Sequence, residues 1–300
     1  MSRTALITGS SSGFGRLTAL TLAKHGWNVL ATMRDLSRQD SLLDAARALG
    51  LLDRIEILPL DITDHAQVNQ LAATLAARAV PLDAIVNNAG FAMAGFAEDV
   101  SDAELRRQFD TNFFAHAEVT RAFLPQLRRQ GFGHLVFVSS ISGEVGFPGV
   151  SSYAASKHAL EGWAESLRLE LKPLGIQVAL VEPGSFETNI WTRGAVLSER
   201  SGQGMLQQQA AMSTDQAQSP QDAQSPNAAR MARLGHSVLK AKKRPDAQIV
   251  AHRIAKILES PRPRLRHIVG LDAHLALLLH RFLPWKIYEK ILLRASGLDR

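Results

Sequence analysis

Short apolar runs alternate with longer stretches of helical periodicity over roughly the first 180 residues of the chain. Thr4–Thr8, Asn28–Thr32, Ile55–Leu60, Ala84–Asn87, His134–Ser139 and Gln177–Val181 have the length and composition of buried strands. Between them, Arg16–His25, Asp40–Leu49, Ala66–Arg78, Asp102–Arg129 and Ser152–Lys172 repeat their apolar positions at helical spacing. The strands lack the period-two alternation of a sheet with one wet face, so helices must cover both faces. Strand and helix in strict alternation predict parallel strands joined by crossover helices: one doubly wound α/β sheet.

The pattern changes after Val181. Residues 198–229 are rich in Gln, Ala and Ser and poor in large apolar groups, and they include two Gln-Ser-Pro triplets. A tract of that composition inside a compact domain predicts a mobile lid. Helical periodicity resumes at Ala247–Glu259, and Arg266–Val269 reads as a short strand closing the sheet edge, for about seven strands in all. No repeat and no linker divides the chain. The expectation is one domain over 1–300, with a core at 1–190, a substrate lid at about 191–235, and a helix, edge strand and tail over 236–300.

Composition narrows the chemistry. Hydrophobic residues make up 46% and charged residues 21%, within the range of globular domains. The absence of cysteine excludes a disulfide framework, a thiolate metal site and a cysteine nucleophile. No signal-peptide pattern opens the chain, and no apolar stretch reaches the length of a spanning helix, so a cytoplasmic location is expected. The net charge of +6 is unaccompanied by a compact basic-aromatic motif, which argues against nucleic acid as a partner. The tail Leu275–Arg294 interleaves Leu, Ile, Phe and Trp with Arg and Lys at helical spacing. Two readings remain open for it: a helix docked on the core or a partner subunit, or a peripheral contact with a membrane surface.

The first strand leads into Thr8-Gly9-Ser10-Ser11-Ser12-Gly13-Phe14-Gly15 and then directly into a helix. Glycines there permit a tight turn and close approach of a pyrophosphate, and the helix start offers unpaired N–H groups. The spacing Gly-x-x-x-Gly-x-Gly resembles that of the short-chain dehydrogenase/reductase family. Further marks follow in order: Asp61-Ile62 after the third strand, Asn87-Asn88-Ala89-Gly90 after the fourth, then Asn112, Ser140, Tyr153, Lys157, Pro183-Gly184 and Thr188. The resemblance covers residues 3–190 in register and implies a Rossmann-type fold, a nicotinamide cofactor and, as members commonly pair through their fourth and fifth major helices, a homodimer or homotetramer. It also implies a cofactor held by Gly9, Ser11, Ser12, Gly13, Phe14, Gly15, Asp61, Ile62, Asn88, Ala89, Gly90, Tyr153, Lys157, Pro183, Gly184 and Thr188.

Users of NAD in this family carry an acid at the tip of the second strand, where this chain has Met33 followed by Arg34. An arginine pairs well with a 2′-phosphate, with Ser11, Ser12 and Arg38 as possible further donors. NADP(H) is therefore expected over NAD(H), with Asp35 as the counter-indication.

Tyr153 and Lys157, four residues apart in a helical stretch, share one face. A phenol near pKa 10 is a poor base at neutral pH, and a neighbouring cation is expected to lower that value. The resemblance implies that Ser140 binds the substrate oxygen together with Tyr153, and that Asn112 holds a water linked to Lys157. No metal is called for. Phe91, Met93, Val145, Phe147, Phe186 and Trp191 are candidate pocket residues, all apolar. Val29–Leu36, Ala45–Leu49 and Ala159–Gly162 resemble the branch containing 17β-hydroxysteroid and retinol dehydrogenases, which implies a bulky hydrophobic ketone, aldehyde or alcohol as substrate. His158 and His236 read as solvated or packed. The alternative function is a non-catalytic NADP(H)-binding regulator on the same fold.

Overall fold

The structure is a computed structural model, which describes residues 2–186, 195–199, 227, 229–231, 233–234 and 244–299. Most of the expected lid, with Thr188, Trp191 and His236, lies outside the described residues.

The strands are β1 Thr4–Ile7, β2 Asn28–Met33, β3 Ile55–Pro59, β4 Ala84–Asn87, β5 Ala92–Ala94, β6 Gly133–Val138, β7 Ile176–Pro183, β8 Ala195–Leu197 and β9 Arg266–Val269. Seven of them form one sheet in the order β3-β2-β1-β4-β6-β7-β9, every neighbouring pair parallel. The order reverses direction at β1, and Gly9 and Gly90 follow the adjacent strands β1 and β4 on either side of that switch point. β5 and β8 pair as a separate parallel ribbon that the sequence pattern did not reveal, because three residues are too few to show a period.

The helices are α1 Gly13–Lys24, α2 Asp40–Ala48, α3 His65–Ala77, α4 Asp102–Phe109, α5 Ala115–Gln130, α6 Ser151–Leu171, α7 Gln248–Glu259, α8 Leu271–Phe282 and α9 Trp285–Ser296. Two apolar layers result. Leu22, Val29, Ile254 and Val181 belong to the layer under α1, α2 and α7. Leu6, Phe123, Leu160 and Leu180 belong to the layer under α3, α5 and α6. Buried side chains on both sides of the sheet explain the strands' continuous apolar runs.

Two elements differ from the sequence expectation. The helix expected over Asp102–Arg129 is interrupted by a π turn at Asp110–Phe114, between α4 and α5. A π turn inserts one residue into the ladder, which changes the facing of everything after it. The tail is two helices, not one: Pro284 lacks the N–H that a continuous helix would need, and it caps α9 from an extended conformation.

Candidate active site

The turn after β1 is closed by backbone. Gly9 has φ +70°, and a Cβ on it would lie 2.8 Å from the Ala89 Cα. A Cβ on Gly15 would lie 2.3 Å from the Gly9 carbonyl oxygen, so only glycine lets α1 start this close to the turn. Gly13, at φ +54°, faces open space instead. Asn88 ties this turn to the end of β4, its Nδ2 donating to the Thr8 and Gly9 carbonyls at 2.8 and 3.2 Å. The Thr8 hydroxyl accepts from the backbone N–H groups of Asn88 and Ala89 at 2.9 and 3.0 Å. Beside the turn lies a cavity of about 350 Å³ lined by Ser11, Ser12, Ser37, Arg38, Asp40 and Ser41. Small residues, hydroxyls and one guanidinium at a helix start fit the phosphates of a dinucleotide. Arg34 is exposed beyond this cavity, 3.9 Å from Asp61. Asp35 accepts from the Ser37 N–H at 3.0 Å, and hydrogen bonds from the Ser37 side chain and then this N–H hold its carboxyl below the usual range. Met33, where an acid would bind ribose hydroxyls, is buried. Asp61 accepts from both the N–H and the hydroxyl of Thr63, while Ile62 is buried in the core.

A hydrogen-bonded path runs from this turn to the tyrosine. After Gly90, the Phe91 peptide is gripped by Asn112, whose Oδ1 accepts from Phe91 N–H at 3.1 Å and whose Nδ2 donates to Phe91 O at 3.0 Å. Asn112 Nδ2 also lies 3.3 Å from Ser156 Oγ, and that hydroxyl donates to Tyr153 O at 2.7 Å. The carboxamide of Asn112 thus holds the Gly90–Phe91 backbone in place, a task the sequence reading had not given it. Gln108, one helical turn earlier, adds bonds to Phe91 O and from Met93 N–H at 2.9 and 2.8 Å. His116 contacts Ala89 O through Nε2 at 2.6 Å, and burial pushes it down to about 3, so it is neutral. Gln108 and His116 flank Asn112 at four-residue spacing, a helical signal that the sequence carries.

Tyr153 and Lys157 lie on one face of α6, both nearly buried. Ser140, at the end of β6, shares a hydrogen bond with the Tyr153 phenol. Its hydroxyl also accepts from Ser142 N–H at 3.1 Å, which fixes the start of the following turn. Lys157 Nζ donates to Val138 O at 2.9 Å and stands 5.9 Å from the centre of the Tyr153 ring. The expected acidification of the phenol is not met in this arrangement. Burial pushes Tyr153 up to about 12, and the Ser140 hydrogen bond offsets only part of that. Burial also pushes Lys157 down to about 8. Both groups sit in the same poorly solvated space, where the ammonium is turned toward a carbonyl.

On the next turn of α6, Glu161 enters a network that no motif announced. Arg266 of β9 pairs with Glu144 and Glu161, with Glu165 at 2.9 Å and with Glu182 at 3.5 Å. Glu161 and Glu182 are buried, and burial raises both carboxyls; repulsion from Glu144 adds to both, and repulsion from Glu161 adds to Glu182. Against the cost of its own desolvation, the surrounding carboxylates raise Arg266 and keep it charged.

The candidate pocket residues separate. Phe147 packs against Tyr153 and Ala92 on one side and the tail helices on the other. It fronts a groove of about 510 Å³ that also includes Pro148, Ala154, His158, Trp285 and Leu292. Val145 is fully covered by Ala273 and Tyr288 of the tail, and Phe186 is packed edge-on against Phe14 in the main core. Met93 is buried in β5. Those three fill space between elements, whereas Phe147 borders the groove. Beyond β7, Asp272 of α8 accepts from Ser185 N–H at 2.6 Å, and a Cβ on Gly184 would lie 2.3 Å from its carboxylate. The Pro183–Gly184 segment is therefore held by the tail. Of the expected lid, Met231 and Leu234 are buried, and a Cβ on Gly149 would lie 2.3 Å from Leu234.

Residues 3–195 match the family model described as short chain dehydrogenase. The chain is 37% identical to the uncharacterized oxidoreductase YusZ of Bacillus subtilis over 289 residues, 96% of each chain. It is 40% identical to human retinol dehydrogenase 8 over 189 residues, covering 62% of this chain and 60% of that protein. Among solved structures, a short-chain dehydrogenase from Streptomyces avermitilis superposes with TM-score 0.76 at 33% identity, covering 100% and 98% of the two chains. A short chain dehydrogenase/reductase from Burkholderia phymatum in complex with NAD gives TM-score 0.72 at 25% identity, covering 100% and 97%.

Proposed function

This chain belongs to the short-chain dehydrogenase/reductase family, and from that premise we propose that it is an NADP(H)-dependent oxidoreductase interconverting a bulky hydrophobic alcohol with its ketone or aldehyde. The observation that carries the reading is the Ser140–Tyr153 hydrogen bond, with Lys157 one turn further along α6 and the Gly9–Gly15 turn connected to both through Asn88, Phe91 and Asn112.

The bound nicotinamide would supply or accept the hydride. Gly9, Gly13, Gly15 and the start of α1 would hold its phosphates, and Pro183–Gly184 would lie beside its ring. Tyr153 gives a proton to the substrate oxygen, and Ser140 donates a hydrogen bond to the same oxygen as negative charge develops there. Burial favours the neutral phenol, which is the form that donates in reduction, and in oxidation the same group takes the proton back. Lys157 is anchored by Val138 O and lies within reach of the phenol.

Three features support NADP(H) over NAD(H): Met33 replaces the ribose-binding acid, Asp35 is engaged as a cap, and Arg38 with four serines borders the cavity beside the turn. Apolar Phe147 beside Tyr153, and the retinol dehydrogenase relative, support a lipophilic substrate. The test is to incubate the protein with NADPH or NADH and a panel of lipophilic ketones and aldehydes while following reduced-cofactor absorbance. Turnover with NADPH is expected, and Tyr153→Phe should lower it by about a thousandfold or more while cofactor binding persists. Unchanged turnover in that variant, or NADPH binding with no turnover on any carbonyl, would overturn the catalytic reading.

A further inference from the structure

The two tail helices each present one face inward and a second apolar face outward. α8 buries Ala273 and half-buries Ala276, Leu277 and Leu279 against Ile141, Val145 and Ile268. On its outer side Leu271, Leu275, Leu278 and Phe282 are 90%, 56%, 56% and 72% exposed. Their spacing of four, three and four residues makes one continuous stripe along the helix. α9 buries Tyr288 and Ser296, while Ile287 and Ile291 are exposed, 50% and 39%. Trp285, at the bend, is 62% exposed and contacts His280 and Tyr288, which fixes the two helices to each other. Singly exposed apolar residues need no explanation, but a stripe this long on two adjoining helices does.

The charges around the stripe indicate what covers it. Exposed Arg281, Lys286, Lys290 and Arg294 interleave with the apolar positions. Of the nearby acids, Asp272 accepts from Ser185 N–H, Glu289 lines the groove against α6 and Asp299 lies 3.9 Å from Arg294, which leaves Arg281, Lys286 and Lys290 as the excess of positive charge. Each helix has 12 residues, about 18 Å, against a hydrocarbon core of about 30 Å. Among the described residues no helix is long and apolar enough to cross a membrane. An amphipathic face with cations and a tryptophan on short helices has the chemistry of a segment lying in the lipid interface.

We propose that the outward face of α8 and α9 docks on an anionic phospholipid surface. The groove bounded by Trp285, Leu292 and Phe147 opens beside that face, and, resting on the functional reading above, it would receive a lipophilic substrate from the bilayer.

Docking is tested without reference to activity. The full chain is sedimented with vesicles of phosphatidylcholine containing phosphatidylserine, and with phosphatidylcholine alone. The expected result is salt-sensitive pelleting with the anionic vesicles and a blue shift of tryptophan emission that Trp285→Phe removes. Leu275→Ser with Phe282→Ser should weaken vesicle binding by at least about tenfold while leaving Tm and NADPH binding in place. Wild-type protein remaining in the supernatant with anionic vesicles overturns the proposal, as does a dimer that forms through this stripe, stays off vesicles and is broken by the same two substitutions. Failure of carbonyl turnover with vesicle binding intact would count against the functional reading alone.

Discussion

The turn at Gly9–Gly15 and the network around Arg266 lie on either side of the Tyr153–Lys157 pair, and they are built from different materials. The turn is made of neutral backbone: glycines admitted by close approach, a threonine hydroxyl and one asparagine carboxamide. Nothing in it titrates near neutral pH, and its geometry is fixed by contacts under 3.3 Å between atoms of two neighbouring strands' ends. The network is made of charge: four carboxylates from α6, β7 and the turn after β6 converge on one guanidinium from β9. Its energy depends on pH, because burial raises two of its acids. The difference teaches that the shape of a glycine turn is set by sterics near one point of the chain, whereas the charge behind Lys157 is set by long-range assembly.

The largest expected effect tests the steric side. Gly15→Ala places a methyl 2.3 Å from the Gly9 carbonyl oxygen and 2.5 Å from Asn88 Nδ2. Neither neighbour can yield without moving the turn, so nicotinamide cofactor binding should be nearly abolished and the fold should lose about 3 kcal/mol. Cofactor titration and a thermal melt read both; a variant that binds as the parent does would show the turn to be compliant. Next in size, Arg38→Ala should weaken NADPH binding by about ten- to a hundredfold and NADH binding little, as expected for one lost charge-assisted hydrogen bond. The same comparison on Arg34→Ala ranks the two arginines; since Arg38 lines the cavity and Arg34 does not, the larger effect is expected at Arg38. Equal losses for both cofactors would remove the 2′-phosphate from the account.

The smallest effect tests the charged side, and its sign follows from linkage. Glu161 and Glu182 have folded-state values raised above their unfolded ones. As pH rises above about 4.5 the unfolded chain loses these protons while the folded chain keeps them, so stability falls until the raised values are passed. Glu182→Gln keeps the shape and removes one such acid. Its Tm should match the parent's near pH 4.5 and exceed it at pH 8, by the equivalent of about 1 kcal/mol. A Tm lowered at pH 8 but not near pH 4.5 would mean that Arg266 needs the Glu182 carboxylate ionised.

The same contrast decides what was readable. The parallel sheet was legible because each strand is a continuous apolar run, and burial on both faces leaves no other pattern. The glycine turn and Tyr153–Lys157 were legible because each is confined to a few consecutive residues or one helical turn. The fate of the pocket candidates was not. Val145 and Phe186 are as apolar as Phe147, and only the tail helix over one and Phe14 against the other show that they fill the core. Nor was the π turn at Asp110–Phe114 visible in a sequence whose apolar spacing reads as ordinary helix.

What the amino-acid order determined by itself is everything whose cause is local: strand and helix periods, the glycines required by a tight turn, and a phenol and an amine on one helical face. What only the folded chain decided is everything whose cause is the surroundings. The tyrosine's proton is held because desolvation outweighs the Ser140 hydrogen bond. Five residues from Glu144 to Arg266 become one charged cluster because two crossovers, β6 to β7 and β7 to β9, bring them together. An apolar stripe on the tail is left facing outward because the opposite faces of the same helices already satisfy the core.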